Sequence, residues 1–522
     1  LNLAVSIQMR LLLLIAALAI GFHPGPTAVA ETSFQLPDSR PTLWILDPRP
    51  LTPSGQALAA SAQGILNQDS PRVWFTSGGL HRQVLERVRS RFNTVEVQSP
   101  WALIASNRSA FSGFLTCSIT NHTFNLATSL AGTRRALVMD ISLRQQALEA
   151  GLPELEDLRA VPAGDAFAQY ARTARRAVLI HQPISKPLHL RDLAVALGAW
   201  VDFEPATPSL TAMVAALGPH TEVLGWGSEE HQFVRDVSQG GGWVIPADWA
   251  LNLSAHRWLQ DSTDLPQTTP RPPPTPLRPG ERAVAFVVSD GDNVQWLLGG
   301  FTDSPGFWAS PRRGSFPVSW EIAPRLRILA PAADAWLRRT ATPNDDFVGG
   351  PSGGGYHFPH HVPDRAGLSV RSARSLANAG LSVTSVLNSE GSPEELDALL
   401  LDPEIHGVLY KDYAPYNRRR GALAWVRNKP VLAYRHLLWE EQRRDGSLRP
   451  DWLPEGVARA IAGQAPNDPF ALIQVHAWSF RKQGGPMEAI HKTIQLLPPD
   501  TRVVPASDLL RMLRQTQPAN GN

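Results

Sequence analysis

The chain has a single cysteine, Cys117, in 522 residues, so no disulfide can close within it and no thiolate zinc cluster can form. Neither sign of charge dominates. Lys+Arg 49 against Asp+Glu 47 leaves +2, nearly all the positive charge is Arg, and no Lys-rich block is present, which argues against a nucleic-acid partner. Long apolar runs are missing as well. The stretch 11–22 is too short to span a bilayer. Preceded by Met9-Arg10 and followed by Ala28-Val29-Ala30, it reads as a secretory signal cut after Ala30, with translation starting at Met9. The expectation is a protein exported to the periplasm or outside the cell, with no membrane span in its mature form. No glycine pattern cradles a phosphate: Gly225-Trp226-Gly227 and Gly240-Gly241-Gly242 do not continue into a dinucleotide fingerprint. No cofactor and no metal are expected. Tyrosine is scarce at 6, whereas tryptophan reaches 16, enough for core packing and for platforms on which sugar rings stack.

Hydrophobic residues at 43% and charged ones at 18% imply large cores, and the length implies two to four domains. Strand-like and helix-like segments alternate from Thr42: apolar runs at 43–47, 72–75, 136–140, 177–180 and 221–226, with helices at 55–66 (Ser54 as N-cap) and 80–92. Asp47, Asp140 and Asp248 read as caps or turn residues. Residues 31–265 are expected to form an α/β layered region with room for two small units. Six prolines in residues 268–280 then mark a stiff connector, placed at 266–280. Beyond it, strands are expected at 284–289, 317–322, 347–349, 382–387, 407–410, 431–434, 471–475 and 502–504. The expected helices are 332–339, 369–379, 393–401, 421–427, 456–463, 486–497 and 507–513. That count fits a (β/α)8-like barrel over 281–522, a distorted or seven-stranded barrel being the alternative.

Polar residues gather where these strands end, which in a barrel is one face. The first strand runs into Ser289-Asp290-Gly291-Asp292-Asn293, and later ends carry Glu321, then Asn388 and Glu390, then Lys411 and Asp412, then Trp439 and Glu440, then His476 and Trp478. Many carboxylates, several rings and few cations suit a neutral polyhydroxylated ligand, an oligo- or polysaccharide. Glycoside hydrolysis needs one carboxylic acid for the leaving oxygen and a second carboxylate as base or nucleophile. Asp292 and Glu321 are the leading pair, Asp290 orients, and Glu390, Asp412 and Glu440 are substitutes. A second unusual segment, 349–361, holds five glycines and then Tyr356-His357-Phe358-Pro359-His360-His361. The expected sugar-binding groups are Asn293, Tyr356, His357, Phe358, Asn388, Lys411, Trp439, His476 and Trp478.

Gly353-Gly354-Gly355-Tyr356-His357-Phe358-Pro359 resembles the signature of the GxGYxYP putative glycoside hydrolase family, with Phe358 where a second Tyr is usual. The motif opening at Ser289 and ending at Trp296 is similar to the family's other strong motif, in the same order. Gln63-Gly64-Ile65-Leu66-Asn67, Gly225-Trp226-Gly227 and Asn252-Leu253-Ser254 resemble weaker marks of its N-terminal region. The resemblance implies an exported protein with an α/β N-terminal region and a barrel-like C-terminal domain. Two other functions compete with hydrolysis. One is a metal-dependent carbohydrate deacetylase using Asp290 and Asp292 with His357, His360, His361 or His476. The other is a carbohydrate-binding protein without chemistry.

Overall fold

A computed structural model describes residues 40–516, apart from 176, 207, 261–271, 415 and 444. The expected signal segment and the first residues of the expected proline-rich connector lie outside the described residues. From Arg40 onward the chain packs as one compact unit.

Short apolar strands between amphipathic helices give parallel pairing, because each helix carries the chain back to the same sheet edge. The N-terminal region builds three small parallel sheets where the sequence suggests two units. Thr42–Leu46 lies between Val73–Phe75 and Asn93–Val97, and Gly113–Cys117 lies between Ala136–Asp140 and Glu154–Asp157. The third sheet runs Trp243–Ile245, Glu222–Gly225, Val178–His181, Trp200–Asp202. The helix Pro53–Leu66 starts two residues earlier than a Ser54 cap requires. Pro53 takes its first turn, and Thr52 Oγ1 accepts from the Gly55 N–H at 3.2 Å. Ser54 instead donates to Asp140 Oδ2 at 3.1 Å.

The C-terminal region forms one curled sheet. Its strands run Leu423–Val426, Lys429–Ala433, Gly407–Asp412, Val383–Asn388, Asp345–Gly349, Val318–Ile322, Arg282–Val288, Phe470–Val475 and His436–Leu438, with Thr501–Val503 beside Arg282–Val288. All eight sequence-expected strands are present. The segment 429–438 meets both ends of the curl: Tyr434 N–H donates to Tyr410 O at 3.0 Å, and Arg435 N–H to Leu472 O at 2.8 Å. The architecture is therefore mixed α/β with parallel sheets and a barrel-like curl, in place of eight regular βα units. One expected helix, 421–427, is instead a strand. Leu423–Val426 pairs antiparallel with Lys429–Ala433 through Arg427 and Asn428, both at positive φ (53° and 58°), the geometry of a tight hairpin turn.

Side chains alternate across a strand, and the curl gives that alternation two different destinations. Ala283, Ala285, Val287, Leu409, Leu432 and Leu472 point inward and share one apolar cluster with Leu509, Leu510 and Leu513 of the C-terminal helix Ala506–Thr516, which plugs one end. Val284, Phe286 and Val288 point outward beneath the surrounding helices. At the other end of the interior the same inward positions become polar, and there the cleft opens. No helix among the described residues is long and apolar enough to cross a membrane.

Candidate active site

The inward parity of Arg282–Val288 continues to Ser289, after which the chain turns sharply. Asp290 sits at φ 68°, and the residue after it must be glycine: a Cβ on Gly291 would stand 1.5 Å from Glu321 O. This close pass over the end of Val318–Ile322 places Asp290 and Asp292 beside Glu321. Asp290 N–H donates to Glu321 Oε2 at 3.0 Å. Gly350 closes the arrangement from the other side, since a Cβ there would stand 2.8 Å from Asp292 Cβ.

These residues form the floor of a cleft of about 290 Å³. Its floor also carries Ser385, Lys411 and Gln474, inward-facing ends of neighbouring strands, with Lys411 Nζ donating to Gln474 Oε1 at 2.5 Å. Its walls are aromatic: Tyr356, Tyr416, Trp439, Trp478 and Trp226. Trp439 stacks on His476 at 4.3 Å and 17°. The N-terminal region reaches the cleft through Trp226 and Glu230, and the Tyr356 hydroxyl donates to Glu230 Oε1 at 2.9 Å.

Burial and crowding of like charges set the protonation states. Asp292 is buried, and desolvation, with Glu321, Asp290 and Glu230 nearby, holds its pKa well above the usual carboxylate range. Burial also raises Glu321, to about 7, opposed by a hydrogen bond from Ser385, by Lys411 and by the Asp290 N–H. Burial lowers Lys411 to about 8 against the pull of Glu321, Asp290 and Glu230. Glu230 is raised, again chiefly by burial. Both carboxyls are thus pushed toward the protonated form, Asp292 the further, while Ser385, Lys411 and the Asp290 N–H hold Glu321 nearer neutrality, so Glu321 is the first of the two to ionise.

The structure brings together nine of the expected site residues: Asp290, Asp292, Asn293, Glu321, Tyr356, Lys411, Trp439, His476 and Trp478. Six lie elsewhere. Asp412 follows Lys411 and so faces the opposite side, toward Arg419 Nε at 3.4 Å. Asn388 is turned outward likewise, accepting from His360 N–H at 3.0 Å and donating to Glu395 Oε2 at 3.0 Å. Glu440 ties down a loop, accepting from the Phe480 N–H and from Gln483 Nε2. His357 is buried with Nδ1 on Gly355 O at 2.9 Å, and burial lowers its pKa to about 4. Phe358 is fully buried against Tyr356, Tyr413 and His231, so its ring is core and not a sugar platform. Glu390 is exposed, its Oε2 3.4 Å from His361 Nε2. His360, His361 and Glu390 offer ligand atoms within 4.8 Å of one another, yet none of the three lines the cleft that holds Asp290 and Asp292.

Sequence reasoning missed Trp226, Glu230, Ser385, Tyr416, Tyr434 and Gln474. Ser385 and Gln474 were available from parity, since each shares its strand's inward face. Trp226 and Glu230 carried a weaker signal, a strand end with Gly-Trp-Gly and a following acidic pair.

Residues 281–514 match the GxGYxYP putative glycoside hydrolase C-terminal domain, and residues 176–257 match the GxGYxYP third domain. The chain belongs to the GxGYxYP family. The two matched stretches supply the cleft jointly, Trp226 and Glu230 from 176–257 and the floor from 281–514. A crystal structure at 1.25 Å of a putative hydrolase from Bacteroides thetaiotaomicron shares the fold, with a TM-score of 0.81 at 22% identity over 91% of this chain and 95% of that one. No curated protein sequence matches the chain.

Proposed function

We propose that this GxGYxYP protein is a glycoside hydrolase working through Asp292 and Glu321. The observation that carries the reading is one buried pair of carboxyl groups raised to different degrees, Asp292 well above the carboxylate range and Glu321 only to about 7, inside an aromatic-walled cleft. Asp292 gives its proton to the glycosidic oxygen as the bond from that oxygen to the anomeric carbon breaks, and the departing group leaves as an alcohol. The Glu321 carboxylate supplies the electron pair, either directly to the anomeric carbon or by taking a proton from the water that attacks it. Asp290 orients Glu321 through its N–H, and Lys411 favours the Glu321 anion. Trp439, Trp478 and Tyr356 would hold ring faces.

Deacetylation draws less support, because the imidazoles of the glycine-rich loop do not join the aspartates: His357 is bound to Gly355 O, and His360 and His361 sit with Glu390. The test is hydrolysis of an oligosaccharide panel by wild type and Asp292→Asn. Equal rates would remove Asp292 from the mechanism. Export is proposed from the 9–30 pattern alone, and the N-terminal sequence of the protein recovered from the medium or periplasm, expected to begin at Glu31, checks it.

A further inference from the structure

A second groove, of about 510 Å³, lies against the catalytic cleft, and the Trp478 indole is a wall of both. Its lining is mostly carbon, from Trp296, Phe307, Pro305, Pro311 and Pro486; the polar side chains are Ser304, Ser310, Arg481 and Glu488. Two loops build it by touching backbone to backbone. A Cβ on Gly485, at φ 82°, would stand 2.7 Å from Gly306 Cα, and Met487 N–H donates to Gly306 O at 3.4 Å. Arg312 Nε joins Glu488 Oε2 across the same two loops at 2.9 Å. The rings are held in fixed relation, Trp296 meeting Trp478 at 4.8 Å and 62° and Phe307 at 4.9 Å and 80°.

Resting on the hydrolase reading, we infer that this groove receives an apolar, ring-bearing aglycone, so that the substrate is a glycoside of an aromatic or polycyclic alcohol. Three features carry the inference. A second sugar would bring hydroxyls that need partners once desolvated, and the groove offers few, whereas a flat carbon skeleton needs none. The groove also adjoins the cleft, the two sharing the Trp478 ring. Finally, Trp296 lies four residues beyond Asp292, on the short helix Val294–Leu298 that the motif runs into. The acid that protonates the leaving oxygen thus belongs to the segment that forms the groove, which places the leaving group on that side.

Two variants separate this proposal from the reaction it rests on. Ser304→Trp fills the groove and Phe307→Ala widens it, and neither residue lines the catalytic cleft. The first readout is binding of 2-naphthol by calorimetry, which needs no turnover. The second is the ratio of kcat/KM for a 4-nitrophenyl glycoside to that for the methyl glycoside of the same sugar. The wild-type protein should bind 2-naphthol, Ser304→Trp should weaken that binding at least fivefold, and both variants should lower the aryl-to-methyl ratio by a similar factor. Absent binding, or binding and a ratio that neither variant changes, overturns the groove. Binding that responds to Ser304→Trp in a protein that hydrolyses no glycoside overturns the hydrolase reading and leaves the groove standing.

Discussion

Residues 289–296 and 349–361 both follow a buried strand, both set glycine among polar and aromatic side chains, and both reach the same cleft. In the first segment Ser289, Asp290, Asp292 and Asn293 all line it. In the second only Pro351 and Tyr356 do. The glycine-rich loop is mainly a joint. Tyr356 and Val244 exchange backbone hydrogen bonds at 2.8 Å each way, and a Cβ on Gly354 or Gly355 would stand 2.6 Å or 2.8 Å from the Trp243 ring. Its glycines let backbone lie on an indole of the N-terminal region, and that seam positions Tyr356 against Glu230. Glycine beside polar residues therefore has two meanings here: a turn that aims carboxylates, and a flat surface that receives another part of the chain.

The largest test of this contrast pairs Asp292→Asn with Glu390→Gln. Removing the acid from the first segment should cost 10²- to 10⁴-fold in kcat, the usual worth of general acid catalysis. Glu390→Gln, at the exposed corner beside the second segment, should change kcat less than about twofold, because surface ion pairs contribute little. Steady-state rates on one substrate decide it. A large loss from Glu390→Gln would mean that the His360–His361–Glu390 corner takes part in the chemistry.

Glycine replacements probe the two meanings directly. Gly291→Ala should abolish activity, because its Cβ would be driven into the Glu321 carbonyl and the carboxylates would lose their alignment. Gly355→Ala should act through stability, lowering the denaturation midpoint by the equivalent of about 1–3 kcal/mol, the usual cost of overpacking a filled interior. Urea titration with an unchanged slope checks it.

How much of this was legible follows from period and parity. The strand pattern alone located every strand of the curled sheet except the short His436–Leu438 and the Leu423–Val426 hairpin arm, where Gly421 to Arg427 read as a helix until the positive φ of Arg427 and Asn428 is known. At the strand ends, residue type revealed polarity but not direction. Lys411 and Asp412 are equally polar neighbours, and only the inward face of Leu409 shows that Lys411 enters the cleft. Glu230 and Trp226 carried only a weak signal, because their place depends on the Trp243–Gly355 seam, a contact between segments more than a hundred residues apart.

Tyr356→Phe sharpens the seam's contribution. Loss of the hydroxyl leaves Glu230 without its donor while the ring stays in place. A net hydrogen bond of about 1 kcal/mol corresponds to roughly fivefold. The expected result is a several-fold rise in KM with kcat nearly unchanged, since Tyr356 holds substrate and does not exchange its proton. An equal fall in kcat would move Tyr356 into the reaction.

The smallest effect is on stability, and its sign separates an active cleft from a merely polar one. Glu321 has a folded-state pKa raised to about 7, above the ordinary value near 4.5, so between those limits the folded protein holds a proton that the unfolded chain gives up. Stability therefore falls as pH rises through that window, and Asp292, raised for the same reason of burial, extends the trend upward. Glu321→Gln cannot lose a proton. Its melting temperature should match or fall below wild type at pH 5 and exceed it at pH 8, while activity is lost at both. A joint residue behaves differently: Gly355→Ala should lower the melting temperature by a similar amount at both pH values, because steric overlap does not titrate. A Glu321→Gln protein without a pH-dependent gain would show that the site's carboxylates are solvated in the folded state, and the division of roles between Asp292 and Glu321 would lose its physical basis.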